Sequence, residues 1–307
     1  MKLETDCQVI FFTSSSGHCT FDCDYCIINP IAKHQPSLTF EDLKFLIDSF
    51  GVKAFFSFSG VGDFFVSYSR SQRLLSRLLE ENVEIALDTN GAVLQDFPDL
   101  TQAQLEKIRY INLTMHYHQI KRKNLLQRWP EHARIFIDNR REQIYPDYIL
   151  SPALRDEWPE ALAYYAEQVF KPTGKPLLLV RDINQVFDPQ AEARIAQLQR
   201  DFADILQPEA HQENFAAGFA DRPQVLCPAG KGYFRVWNDG RIQGCPNLVD
   251  VPELLDCGNA KERRLEIRPQ PFLCNSPRYC DCNVIDALGK MQLPKPPGFF
   301  QRLFNPG

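Results

Sequence analysis

The chain has 307 residues, 44% hydrophobic and 24% charged, with 34 basic against 39 acidic side chains and a formal net charge of -5. This is an ordinary globular composition, long enough for one large domain or for a domain of about 200 residues with a smaller companion. The acidic balance speaks against a general nucleic-acid binder, no apolar run approaches the ~20 residues of a membrane span, and the polar start Met1-Lys2-Leu3-Glu4-Thr5-Asp6-Cys7 opens no signal peptide, so a cytoplasmic protein without a membrane partner is expected.

In chain order, the apolar residues 9–12 read as a short buried strand closed by the polar stretch 13–17. Cys19, Cys23 and Cys26 follow at once. Thr39, with acids in the turn after it, marks a helix start and predicts a helix over 39–49. Further strands are predicted at 54–58, 83–87, 110–115, 134–137 and 176–180, and helices at 69–81, 101–108, 152–170 and 190–206. The last helix is amphipathic through Ile195, Leu198, Phe202 and Ile205. Six strand–helix units predict a parallel sheet with helices packed outside it, short of the eight units of a full barrel.

The chain holds 10 cysteines. Apart from Cys7 they fall in two groups, Cys19 to Cys26 and Cys227 to Cys282, a distribution that suggests metal sites more than disulfides. The first group is spaced C-x3-C-x2-C with the aromatic Tyr25 before the third cysteine. Three thiolates in one loop can reach three corners of an iron–sulfur cube and leave the fourth iron open, as a catalytic metal site requires. A zinc site lacking a ligand, or three unrelated thiols, accounts less well for the tight spacing.

This loop resembles the CxxxCxΦC motif of the radical S-adenosylmethionine (SAM) superfamily, Φ being aromatic. The resemblance implies an α/β fold: a partial (β/α)6 radical SAM barrel with the cysteine loop at its C-terminal mouth. It implies a [4Fe-4S] cluster on Cys19, Cys23 and Cys26, with SAM bound at the open iron. One electron then cleaves SAM to methionine and a 5′-deoxyadenosyl radical, which removes a hydrogen atom from a substrate. Tyr25 would shield the cluster near adenine, or simply pack as an amphipathic ring.

Motifs after the other strands have two readings each. Gly60, Gly62 and Asp63 form either a tight strand-to-helix turn or a variant of the family's GGE-type motif, which holds the SAM amino group. The first glycine is shifted and Asp63 stands where the family has Glu. Thr89 and Asn90, in Asp88-Thr89-Asn90-Gly91, sit either in an Asn-Gly loop or in the family's cofactor-lining T-N-G. Thr114 and His116 end the fourth strand, where the family contacts the SAM ribose or carboxylate. A second metal on His116 and His118 is disfavoured, because the sequence brings no acid or thiol beside them. Arg181 pairs with the SAM carboxylate or a substrate acid, or makes a surface ion pair. The run Lys121-Arg122-Lys123 reads as a solvated helix face.

Beyond residue 215, residues 233–237, Asn238-Asp239-Gly240 and residues 241–243 read as a β-hairpin between Cys227 and Cys245. The spacing C-x12-G-x4-C resembles the opening of the SPASM and twitch extensions of radical SAM enzymes. The remaining Cys257, Cys274, Cys280 and Cys282 lack the C-x2-C of a full SPASM domain. A single auxiliary [4Fe-4S] cluster is therefore expected, on Cys227, Cys245 and two of Cys274, Cys280 and Cys282. A four-cysteine zinc site is the rival.

The expected organisation is a barrel at 1–210, a small cysteine-rich α+β extension at 215–290 and a Pro-rich tail at 291–307. The resemblance implies an enzyme that modifies a peptide, although the short N-terminus leaves no room for a leader-binding domain. A dehydrogenase acting on a small alcohol or amino sugar is the alternative. A non-catalytic iron–sulfur or zinc-binding protein is the alternative from another class. An electron donor such as a flavodoxin or ferredoxin is the implied partner.

Overall fold

The computed structural model describes residues 6–14, 16–26, 37–59, 62–93, 98–140, 142–181, 187–207, 225–227, 229–244, 256–267 and 272–274. Six strands lie side by side in chain order, each parallel to the next: β1 (Val9–Thr13), β2 (Ala54–Phe58), β3 (Val83–Thr89), β4 (Ile108–Thr114), β5 (Ile144–Leu150) and β6 (Leu178–Arg181). Parallel neighbours need crossover connections, and the chain uses helices for them. These are α1 (Phe40–Phe50), α2 (Tyr68–Leu78), α3 (Gln102–Glu106), α4 (Tyr117–Arg122), α5 (Arg128–Arg140) and α6 (Trp158–Tyr165). A π-helical turn at Ala166–Phe170 joins α6 to α7 (Lys171–Thr173), and α8 (Pro189–Asp201) follows β6.

Local sequence explains the helix ends. Thr39 accepts from the Asp42 N–H while the Asp42 carboxylate accepts from the Thr39 N–H, a capping box that starts α1. Gly51, at φ 62°, stops it with its N–H on the Ile47 carbonyl. The alternation of the strands sorts their two faces. Phe11, Phe56, Phe58, Leu87, Leu113 and Leu150 join one apolar core with the helices. The intervening residues put Ser57, Asp88, Asn112, Thr114 and Asp147 on the opposite face, beside the apolar Ile10, Phe55 and Ala86. A parallel sheet covered on both faces normally reads as continuous apolar runs, as β1 and β2 do, while β3, β4 and β5 carry polar side chains on this face.

After β7 (Val225–Cys227), the hairpin forms as expected from β8 (Tyr233–Val236) and β9 (Arg241–Gln243), followed by β10 (Asp256–Asn259) and β11 (Arg264–Leu265). It does not stand apart from the barrel strands. β8 pairs parallel with β1, making one sheet in the order β11-β10-β9-β8-β1-β2-β3-β4-β5-β6. Phe234 stacks on Phe11 at 5.8 Å, Phe11 on Phe56 at 4.9 Å, and Phe50 closes edge-on against Phe11 and Phe234. Burying each such ring contributes about 1.5–3 kcal/mol, which fastens the extension to the first strand. β12 (Phe272–Cys274) pairs antiparallel with β7 in a separate ribbon.

The structure departs from the expected elements in several places: the helix expected over 101–108 stops at Glu106, and that expected over 152–170 opens as a 3-10 segment at Pro152–Glu157. Residues 134–137 are not the fifth strand but the middle of α5, where Trp129, Ala133, Phe136 and Ile137 recur at helical spacing and are buried. A four-residue apolar run fits either period, and here the flanking residues decide for the helix. The fifth strand is β5, hidden in the sequence by Pro146 and by the polar Asp147. The helix expected over 190–206 ends at Asp201, and the Ile205 carbonyl turns back to accept from the Leu177 N–H.

Candidate active site

The cysteine loop leaves β1 at the C-terminal ends of the parallel strands, the face on which α/β barrels carry their chemistry. Cys19 and Cys26 are exposed there and Cys23 is buried. Phe21, 2% exposed, anchors the loop and meets His116 edge-on at 5.8 Å. Gln119 of α4, fully buried, clamps the backbone of Asp22 twice, accepting from its N–H at 3.3 Å and donating to its carbonyl at 2.9 Å. The basic run is not only a solvated face. Lys123 lies 3.5 Å and Arg122 3.9 Å from the Asp22 carboxylate, while Lys121 pairs with Glu160. Such exposed pairs each contribute about 0–1 kcal/mol, so the buried Gln119 clamp dominates.

Asp63 joins the loops together. Its N–H donates to the His18 carbonyl at 2.7 Å. Its carboxylate accepts from the Thr89 hydroxyl (3.0 Å), the Asn90 N–H (2.6 Å) and the Phe65 N–H (2.9 Å). Burial pushes this acid up to about 6, against the pull of those donors. Its oxygens thus hold the loop after β3 and its own turn, while its N–H holds the cysteine loop. The loop after β3 is braced again from α5: the Trp129 indole donates to the Asn90 carbonyl at 2.8 Å, and His132 Nδ1 lies 2.9 Å from the Gly91 carbonyl.

Tyr25 and His116 close the Cys23 side. The Tyr25 hydroxyl lies 2.7 Å from His116 Nδ1, the rings stack at 5.9 Å, and the Cys23 sulfur is 3.6 Å from the same nitrogen. Burial pulls His116 down to about 4, so the ring is neutral at physiological pH. Burial likewise pushes the Cys23 thiol up to about 12, so binding a metal must displace its proton. The sequence offers His116 no thiol, yet the fold brings it one. His118 goes elsewhere, to Glu157 at 3.0 Å.

Thr114 hydrogen-bonds the Asp147 carboxyl on the polar inner face, directly opposite it in the β4–β5 register. Beside them the Asn112 amide donates to Asp88 at 2.9 Å. Burial, together with the nearby Asp88, pushes Asp147 up to about 7, and its Oδ1 has no hydrogen-bond partner among the described residues. An acid raised in this way holds its proton more tightly when folded. Its contribution to stability is full below about pH 4 and drains away as pH rises through about 7. The fall in melting temperature from pH 5 to pH 8 is therefore expected to be smaller in Asp147→Asn than in the wild type, measured by calorimetry. An equal fall in both refutes this.

The donor set of the loop fits a cluster better than a single ion. Tetrahedral zinc with Zn–S near 2.3 Å needs its sulfurs about 3.8 Å apart. Among the described residues, the trio of thiol, carboxylate or imidazole donors lying within 4.8 Å of one another is Asp6, Cys7 and Glu84, not the loop cysteines. A cube spreads its ligands over separate irons and needs the wider spacing. The Asp6–Glu84 group lies at the opposite strand ends and is filled by the Lys53 ammonium, 2.5 Å and 2.8 Å from the two acids.

Of the residues named from the sequence, Tyr25, Gly62, Asp63, Thr89, Asn90 and His116 converge on the cysteine loop, and Thr114 faces Asp147. Arg181 ends β6 at the same mouth. Gly60, Cys245, Cys280 and Cys282 lie outside the described residues. Cys257 is buried in the core. In the β7–β12 ribbon Cys227 pairs with Phe272 and Cys274 with Val225, which makes the two cysteines diagonal neighbours. Gln119, Trp129, His132 and Asp147 were not legible as site residues, because each acts through a partner distant in sequence.

No family model matches the chain, and no curated protein sequence does. Solved structures do match. Native anSMEcpe with bound AdoMet and Cp18Cys peptide is 14% identical with a TM-score of 0.51, over 82% of this chain and 77% of that one. The same protein with AdoMet and Kp18Cys peptide is 13% identical with a TM-score of 0.52, over 82% and 78%. The parallel sheet, the cysteine loop at its mouth and this likeness together give the chain the radical SAM fold.

Proposed function

We propose that the chain is a radical SAM enzyme. The observation that carries this reading is the CxxxCxΦC loop at the C-terminal mouth of the six parallel strands, braced by Gln119, Asp63 and Asn90 and opening Cys19 and Cys26 outward. Cys19, Cys23 and Cys26 would hold a [4Fe-4S] cluster with SAM beside it. When bound, these supply the one-electron cleavage of SAM and a 5′-deoxyadenosyl radical that takes a hydrogen atom from the substrate. Tyr25 and His116 keep water from the Cys23 side. The polar inner face, with Asp88, Asn112, Thr114 and Asp147, receives the substrate.

A peptide is the preferred substrate, supported by the peptides bound to anSMEcpe. A small alcohol or amino sugar is the second reading, supported by the hydroxyl and carboxyl groups of the inner face. Cys227 and Cys274, with Cys245 and one of Cys280 and Cys282, would hold one auxiliary [4Fe-4S] cluster, and their adjacency across the β7–β12 ribbon supports this. A flavodoxin or ferredoxin is the proposed electron donor. Among the described residues no helix is long and apolar enough to cross a membrane.

Anaerobic reconstitution followed by dithionite and SAM tests the reading. 5′-Deoxyadenosine is expected, with deuterium entering it from a deuterated substrate of the correct class. A fully loaded protein that leaves SAM intact refutes it.

A further inference from the structure

We propose that Asn90 is a positioning residue of the cluster: its side-chain amide donates a hydrogen bond to the Cys19 sulfur, holding that ligand and setting the reduction potential. The proposal rests on the radical SAM reading. It gives Asn90 a role different from lining the cofactor pocket.

The orientation of the amide follows from its neighbours. The Ala92 N–H needs an acceptor and finds Asn90 Oδ1 at 2.9 Å. With the oxygen committed there, the NH2 group faces the other way, 3.4 Å from the Cys19 sulfur and 3.3 Å from the Thr20 hydroxyl. The choice between amide oxygen and nitrogen is thus fixed by a backbone donor. Both backbone groups of Asn90 are clamped as well, the N–H by Asp63 and the carbonyl by Trp129. The residue is 4% exposed. Its side chain is therefore already ordered before any metal binds, and donating to sulfur costs little further entropy.

Cys19 also receives the Phe21 N–H at 3.4 Å. Two N–H donors on one thiolate stabilise the extra negative charge of a reduced cluster and raise its potential. Asp63 in turn acts on the cluster through Asn90, which gives a physical reason for a buried acid at that position.

The test uses the full chain, reconstituted anaerobically, and follows the EPR signal that SAM perturbs. In wild type labelled with 15N-asparagine, pulsed EPR is expected to show a 15N coupling and an exchangeable proton coupling at the cluster. Asn90→Ala should lose the 15N coupling and the amide's share of the exchangeable proton coupling, keep the share of the Phe21 N–H, and shift the midpoint potential lower while retaining the SAM-sensitive signal. Asn90→Asp keeps an acceptor for the Ala92 N–H and removes the donor, so it should lose the same couplings, and it serves if the alanine variant does not load. Thr20→Val removes the amide's other partner and should leave couplings and potential unchanged. No 15N coupling in the wild type, or an unchanged potential in Asn90→Ala, overturns the proposal. A fully loaded wild type whose signals SAM leaves unchanged refutes instead the radical SAM reading on which it rests.

Discussion

Gly62→Ala is expected to abolish cluster loading while leaving most of the sheet intact. Gly62 has φ +83°, a conformation that costs an L residue about 1–2 kcal/mol. Steric overlap costs more. A methyl group there would overlap the His18 carbonyl and lie 2.7 Å from the His18 nitrogen and 2.9 Å from the Gly17 nitrogen. All three obstacles are backbone atoms of the segment leading into Cys19, so no side chain can rotate away. Either that segment moves, or the Asp63 N–H to His18 bond, 2.7 Å long, breaks. Overpacking of this kind costs about 1–3 kcal/mol, so the sum is about 2–5 kcal/mol against the seated loop. That corresponds to a fall of about thirtyfold or more in the ratio of seated to unseated loop. Iron content and the charge-transfer absorbance of the reconstituted protein read it out. A variant that loads iron like the wild type shows the close approach to be unimportant.

Replacing Cys19, Cys23 and Cys26 together by alanine is the second large effect. 5′-Deoxyadenosine formation is expected to fall to background, at least about a thousandfold, because the group that performs the reaction is gone. The fold should survive. Cys19 and Cys26 are exposed, and truncating the buried Cys23 removes one sulfur from the core, a loss of about 1 kcal/mol. Circular dichroism like the wild type's, together with remaining iron, would locate that iron at the second cysteine group. Zinc retained in place of iron would make the extension a structural zinc site instead. Wild-type yields of 5′-deoxyadenosine from the triple variant would end the radical SAM reading.

The sequence by itself determined the periodic and the local. Apolar runs at 9–12 and 54–58 and the Thr39 capping signal are properties of a few adjacent residues, and the chain forms β1, β2 and α1 where they stand. The cysteine spacing is equally local, so the loop itself was legible. The strand at Ile144–Leu150 was not, because Pro146 and the half-buried Asp147 interrupt the apolar pattern that marks a strand. That interruption is what makes the inner face able to hold a polar molecule.

The tertiary structure decided which groups meet. Phe234 reaches Phe11 across more than two hundred residues of chain, and the extension becomes part of the barrel's own sheet. Gln119 reaches Asp22, Tyr25 reaches His116 and Asn90 reaches Cys19 by the same means. None of these pairs follows from spacing, because a buried hydrogen bond is specified by the geometry of two elements together and not by either alone. Asp63 shows the difference best. Its position after a strand suggested an acceptor for a ligand amine, and packing adds donors that no spacing announces, from Thr89, Asn90 and Phe65. Burial makes an unmet donor or acceptor expensive, and so the fold, once closed, assigned that carboxylate to the loops it holds together.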